Sequence, residues 1–316
     1  MTCRRSVAFQ RPAAVAPRVV LLWVVVLIAV AAGMYAVAPW ILPVRINEGP
    51  MVQLASGDAV SLVWFTTRPA TCSVNVTIDG VERAFNANAV GRRQLVRIDG
   101  LQPATTYPYR IQAGRRKLSD GLAFQTNGTA KQRYDFVVFG DSGRATQAQF
   151  ALAADMVCLQ PPPDFLVHAG DMVYPSGERR LYGERFFAPY RHLLPRVNFW
   201  PCLGNHDVDK DGSAAAYEEV FELPHNGPEG LRPGFHYWFD YASSRFVVID
   251  SDADEATLKE RVAPWLLAAM SAPGPRWKFV AFHHPPYTGG KHAPDLRVQR
   301  ALVPASEESG KASSAR

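Results

Sequence analysis

Four short apolar runs in the second half of the chain each stop at a cluster of polar donors: FVVFGDSG to Gly143, FLVHAGDMVY to Tyr174, NFWPCLGNHD to Asp207 and KFVAFHHPPY to Tyr287. Such runs, separated by helical stretches, are the alternation expected of an α/β domain. In open α/β sheets ligands bind in the crevice beyond the carboxyl ends of the strands, so polar groups far apart in sequence can converge there. Asp141, Asp171, Asn205 and His283 supply carboxylate, amide and imidazole donors at those ends, a set suited to iron, zinc or manganese. Gly140, Gly170 and Gly204 stand directly before three of these donors, where a residue without Cβ lets the backbone turn sharply and approach an ion. A carboxylate such as Asp171 has two oxygens and can bridge two cations about 3.5–4 Å apart, the geometry of two-metal phosphate enzymes. Phosphate esters are therefore the expected substrates. A fifth run, RFVVIDSD, ends at Asp250 and Asp252 and reads as structural.

At the other end of the chain, residues 19–38 run for twenty positions without a charge, long enough for one helix to cross a hydrocarbon core of about 30 Å. A cleavable signal peptide would have a shorter apolar region, and Pro39 directly after Ala38 argues against processing there. The basic residues precede the span, so residues 1–18 are expected as a cytoplasmic tail, 19–38 as a transmembrane anchor, and the remainder outside the cytoplasm, periplasmic or extracellular. The formal charge of +5 does not indicate a nucleic-acid partner, because Arg4, Arg5, Arg11 and Arg18 account for most of it and lie in an acid-free N-terminal stretch. Cys72, Cys158 and Cys202 are widely spaced and lack the C-x-x-C pattern of a metal knuckle.

After a linker, residues 51–127 read as an all-β sandwich: Val60, Leu62 and Trp64 alternate, as do Val74, Val76 and Ile78 before Asp79-Gly80. The spacing Leu101-x-Pro103-x-Thr105-x-Tyr107-x-Tyr109 resembles the late-strand signature of fibronectin type III domains, in which a tyrosine corner pins the sheet edge. A scaffold or spacer role is expected of it.

The ordered series GD, GDxxY, GNHD and VxxH over residues 133–300 resembles the calcineurin-like metallophosphoesterases and, within them, the purple acid phosphatases, many of which carry a fibronectin-like module just before the catalytic domain. The resemblance implies an α/β domain over 133–303, built as an αββα sandwich of two mixed sheets. It implies two metal ions, one held by Asp141 and Tyr174, the second by Asn205 and His283, with Asp171 between them. A tyrosinate ligand favours a ferric ion, paired with iron, zinc or manganese. The implied reaction is phosphomonoester hydrolysis of the acid-phosphatase type by a metal-bridging hydroxide. Phosphodiesterase action at the same site, or a non-catalytic surface module, are the alternatives.

His206 matches an outer-sphere histidine that in the family orients the phosphate or protonates the leaving alkoxide, and His292 lies where some plant members have a substrate-facing histidine. His284 is a neighbour of the ligand position. His168 reads as a core histidine, and His192, His225 and His236 as structural. Family members continue to a Gly-His-x-His motif that this chain does not contain. The resemblance thus implies an incomplete domain from truncation or frameshift, with weakened metal retention and feeble activity. Residues 304–316 are expected to be a disordered tail, having no aliphatic side chain larger than alanine beyond Pro304.

Overall fold

The computed structural model describes residue 28 and residues 43–128 and 133–314. The expected anchor and its cytoplasmic tail lie outside the described residues. Among those described, no helix is long and apolar enough to cross a membrane.

Seven strands form the β-sandwich: β1 (Ile46–Gln53), β2 (Ala59–Ala70), β3 (Cys72–Ile78), β4 (Val81–Asn86), β5 (Gly91–Asp99), β6 (Thr106–Ala113) and β7 (Arg116–Gln125). They make a three-stranded sheet, β1-β2-β5, and a four-stranded sheet, β4-β3-β6-β7. Alternation in β3 puts Cys72, Val74, Val76 and Ile78 into the core opposite Val60, Leu62 and Trp64. The tyrosine corner forms as expected: the Gln102 N–H donates to the Tyr107 hydroxyl at 2.7 Å. The first strand opens at Ile46, inside the stretch expected to be linker. Ile46 pairs with Thr66 and Glu48 with Phe65, and the register slips before Met51, so Pro50 falls at an irregularity where a missing N–H is tolerated.

The sandwich is more than a spacer. The second face of β2 and β1, carrying Met51, Val63 and Phe65, belongs to the core of the following domain. Strand β2 is therefore covered on both faces, which is why every residue from Ala59 to Thr66 is buried. Phe65 meets Phe187 edge-on at 6.0 Å, and the Arg179 guanidinium lies 4.2 Å over the Phe65 ring while bonding Glu48 at 2.6 Å. The Val52 N–H donates to the Leu194 carbonyl, and Arg93 reaches Glu222.

In the second domain β8 (Phe136–Phe139), β9 (Phe165–His168) and β10 (Asn198–Pro201) form a parallel sheet in the order β10-β9-β8. A mixed sheet faces it: β11 (Tyr237–Tyr241) is antiparallel to β12 (Ser244–Val248), and β12 is parallel to β13 (Trp277–Ala281). Aromatic rings fill the space between the sheets. Phe136 stacks on Phe165 at 5.1 Å, Phe165 meets Phe246 at 5.1 Å, and Phe239 stacks on Trp200 at 4.0 Å. Helix α1 (Gln147–Cys158), capped by the Thr146 hydroxyl, adds Ala153 and Met156 to this core. A short helix α2 (Ala215–Val220) follows β10 and adds Tyr217 and Val220. On the far side of β12, Val247 packs with Leu266 of α3 (Ala263–Ser271) and Leu302 of α4 (Leu296–Ser314).

The tail does not lack structure from residue 304, as composition suggested: α4 runs through it with Pro304 inside the helix. Val298, Ala301, Leu302 and Ala305 follow the i, i+3, i+4, i+7 spacing of one buried helical face. The residues beyond need no large aliphatic side chain, because alanine, glutamate and lysine already favour helix.

Candidate metal centre

The loops after β8, β9 and β10 are bonded to one another before any ligand is considered. Asp141 donates its N–H to the Gly170 carbonyl at 3.0 Å, Ala169 donates to Phe139 at 2.7 Å, and Cys202 donates to His168 at 2.7 Å. Beneath them lies Asp207, wholly buried. Its Oδ2 accepts from the N–H groups of Asp171 (2.8 Å) and Gly204 (2.9 Å), and its Oδ1 from those of Met172 (2.7 Å) and Val173 (3.2 Å). One carboxylate thus ties the Asp171 loop to the Asn205 loop. Burial pushes the Asp207 carboxyl up to about 8, against the downward pull of those N–H donors.

Two glycines explain their places in the motifs. Gly170 has φ +96°, and a Cβ there would stand 2.6 Å from Nδ1 of His283. A Cβ on Gly204 would stand 2.4 Å from both the N and Oδ1 of Asp171. Asp141 (φ 53°) and Asp171 (φ 61°) themselves adopt left-handed backbone, a conformation costing about 1–2 kcal/mol for most residues that aspartate accepts more readily.

The side chains converge. Single donor atoms of Asp141, Asp171 and His283 lie within 4.8 Å of one another. His283 bonds the Ala169 carbonyl through Nδ1 at 2.8 Å, and since a carbonyl only accepts, Nδ1 carries the proton. Its Nε2 faces Asn205 Oδ1 at 3.2 Å and Asp171 Oδ1 at 3.4 Å. Three atoms of the kinds that ligate metals, a carboxylate oxygen, an amide oxygen and an imidazole nitrogen, thus meet at one point. The donor set fits a metal. The Tyr174 hydroxyl donates to Asp141 Oδ1 at 2.9 Å, and its ring is nearly buried. Burial and the facing Asp171 and Asp141 carboxylates push the phenol upward, so without a cation it keeps its proton.

His206 is fixed twice: its backbone N–H donates to Asp171 Oδ1 at 2.9 Å and its Nδ1 bonds the Pro175 carbonyl at 2.7 Å, leaving Nε2 free. Its ring centroid is 4.5 Å from that of Tyr174. These groups open into a cleft of about 810 Å³ that also receives Arg144, His284, Lys291 and the exposed His292. His284 bonds Ser251 Oγ at 2.9 Å. His168 is buried, bonds Ser142 Oγ at 2.9 Å and is lowered to about 3 by burial, as a core histidine should be. His225 lines a different cleft beside Arg93, His192 a third, and His236 is buried near Trp265. Asp250, raised to about 6 by burial, accepts the Asp252 N–H and does not join the donor cluster. Sequence reasoning missed Asp207 and Arg144. An acid directly after an Asn-His pair was the available signal for the first.

The chain belongs to the calcineurin-like phosphoesterase family, whose model matches residues 134–306. Purple acid phosphatase 23 of Arabidopsis thaliana is 26% identical over 224 residues, which cover 56% of this chain. The match takes in 48% of that relative, so the chain spans about half its length. A solved structure of PhoD aligns with a TM-score of 0.53 at 14% identity, over 75% of this chain and 62% of that one, and at such identity shows the fold alone.

Proposed function

We propose that the chain hydrolyses phosphomonoesters in the acid-phosphatase manner at a two-metal centre, one ion held by Asp141 and Tyr174, the other by Asn205 and His283, with Asp171 shared. The carrying observation is the meeting of Asp171 Oδ1, Asn205 Oδ1 and His283 Nε2 at one point, with a carboxylate oxygen of Asp141 in the same cluster. Bound ions would supply Lewis acidity, neutralising phosphoryl oxygens and making a water acidic enough to serve as nucleophile at moderate pH.

The remaining work falls to side chains. The Ala169 carbonyl holds His283 in the tautomer that presents Nε2, and the Pro175 carbonyl does the same for His206. His206 Nε2 is then the atom that bonds a phosphoryl oxygen or, when protonated, delivers the proton to the leaving alkoxide. His292, on the cleft wall, contacts the ester substituent. Iron with a second iron, zinc or manganese is the metal pair this reading favours. The reading also places residues 19–38 across a membrane with the catalytic domain outside the cytoplasm, and protease added to intact spheroplasts should then digest the chain beyond Pro39.

The test is metal-dependent hydrolysis of p-nitrophenyl phosphate by the full chain, with metal content measured alongside. Activity that requires iron, zinc or manganese and is lost together with metal in Asp171→Asn supports the reading. Preference for bis(p-nitrophenyl) phosphate would replace it with a phosphodiesterase. Full metal loading without hydrolysis of either ester would leave a non-catalytic module.

A further inference from the structure

We propose that Arg144 is a specificity-determining residue: its guanidinium binds an unesterified oxygen of a terminal phosphate and so selects dianionic phosphomonoesters over diesters. The inference rests on the phosphoesterase reading above.

Arg144 sits on the turn that follows Asp141, and a buried amide holds that turn from below. Gln149, 4% exposed, accepts through Oε1 from the N–H groups of Arg144 (3.2 Å) and Ala145 (2.7 Å). Its Nε2 donates to the Arg185 carbonyl at 2.7 Å. The backbone of Arg144 is therefore fixed relative to Asp141 although its side chain is exposed. The guanidinium carbon lies 3.8 Å from the centroid of the Tyr174 ring, the ring whose hydroxyl bonds Asp141. Stacking of this kind holds a guanidinium by its face and leaves its in-plane N–H groups free to donate.

Those N–H groups have no carboxylate within ion-pair distance among the described residues, in contrast to Arg93, Arg179, Arg245, Arg297 and Arg300, each paired with an acid. Asp141, three residues before it, already accepts from Tyr174 through Oδ1. Arg144 and Lys291 are the permanent cations lining the cleft, and Lys291 is carried on an exposed loop without comparable anchoring. An unpaired, stacked and backbone-anchored guanidinium beside a metal-type donor set suits a bidentate anion. A monoester brings three unesterified oxygens into the cleft and a diester brings two. Where the third would sit, a diester presents a second ester oxygen, uncharged, a poor acceptor and shielded by its carbon substituent, so the guanidinium loses a charged acceptor there.

Arg144→Ala and Arg144→Lys in the full chain test this with p-nitrophenyl phosphate, bis(p-nitrophenyl) phosphate and inorganic phosphate. The expected result for Arg144→Ala is a loss of about 10–100-fold in kcat/KM for the monoester, less than about threefold for the diester, and unchanged metal content. Arg144→Lys restores part of the monoester rate, because charge returns without the planar fork. Parallel loss on both esters, or no loss on either, overturns the proposal. If the unaltered chain hydrolyses neither ester, the phosphoesterase reading fails by itself, and calorimetric binding of inorganic phosphate decides the role of Arg144. Binding that weakens at least tenfold in Arg144→Ala sustains it; equal binding, or none by the unaltered chain, overturns it.

Discussion

Asp141, Asp171 and Asn205 leave a parallel sheet, two of whose loops, those of Asp171 and Asn205, are clasped by one buried carboxylate, whereas His283 leaves β13, an edge strand with Trp277 55% and Phe279 39% exposed. The first group is backed by an aromatic core to which the β-sandwich itself contributes Met51, Val63 and Phe65. The second is followed by residues 287–294, all exposed. What joins the two is local: the His283 Nδ1 bond to the Ala169 carbonyl and the close seat of that imidazole on Gly170. The difference teaches where precision lies. On the proposed reading the clasped loops would set the metal geometry and leave the open loop beside β13 free to vary with the substrate.

The largest expected effect is on the clasp. Asp207→Ala strips the acceptor from four buried N–H groups, each costing about 1–3 kcal/mol when left unpaired, so stability should fall by at least about 3 kcal/mol and metal be lost. Denaturant unfolding and metal analysis read both, and an unaffected protein would mean that other contacts hold the two loops. Next is Gly170→Ala, which strains a positive φ and pushes on the imidazole, costing about 1–3 kcal/mol and weakening metal binding at least tenfold. A competitive chelator titration measures this, and retention of full affinity would detach His283 from the centre.

Tyr174→Phe should cost only about 1 kcal/mol, the net worth of its hydroxyl bond to Asp141, while abolishing the visible tyrosinate absorption expected of a ferric-loaded parent. A parent that binds ferric ion and stays colourless would remove Tyr174 from the ligand set. Smallest is Trp277→Lys on the exposed edge, expected within about 0.5 kcal/mol of the parent with unchanged metal content. A large loss there would show that the edge half is as tightly integrated as the clasped half.

Much of this was legible in the sequence. Three of the four strand-end motifs carried the donor beside a glycine, and Tyr107 announced its corner through the Leu-Pro-Thr-Tyr spacing, because backbone turns and period-2 alternation are local properties. The double burial of β2 was readable too, since Val63 and Phe65 are as apolar as Leu62 and Trp64, but alternation alone assigned only one of the two faces. Asp207 and Arg144 were not legible. The role of Asp207 depends on N–H groups of Asp171, Met172 and Val173, more than thirty residues away, and that of Arg144 on a ring brought over from the next strand end. Helix α4 was missed for a different reason: large aliphatics were required of a segment whose last buried core residue, among the described residues, is Ala305.

The central claim is that Asp171 and His283 are arranged to ligate a common cation. Anomalous diffraction from crystals loaded with iron, zinc or manganese tests it most directly. The account predicts a metal peak in coordination distance of both the Asp171 carboxylate and His283 Nε2, with Asp141 and Asn205 alongside. Loaded crystals with no peak at Asp171, or with metal bound elsewhere and His283 still facing Asn205 unchanged, would contradict it.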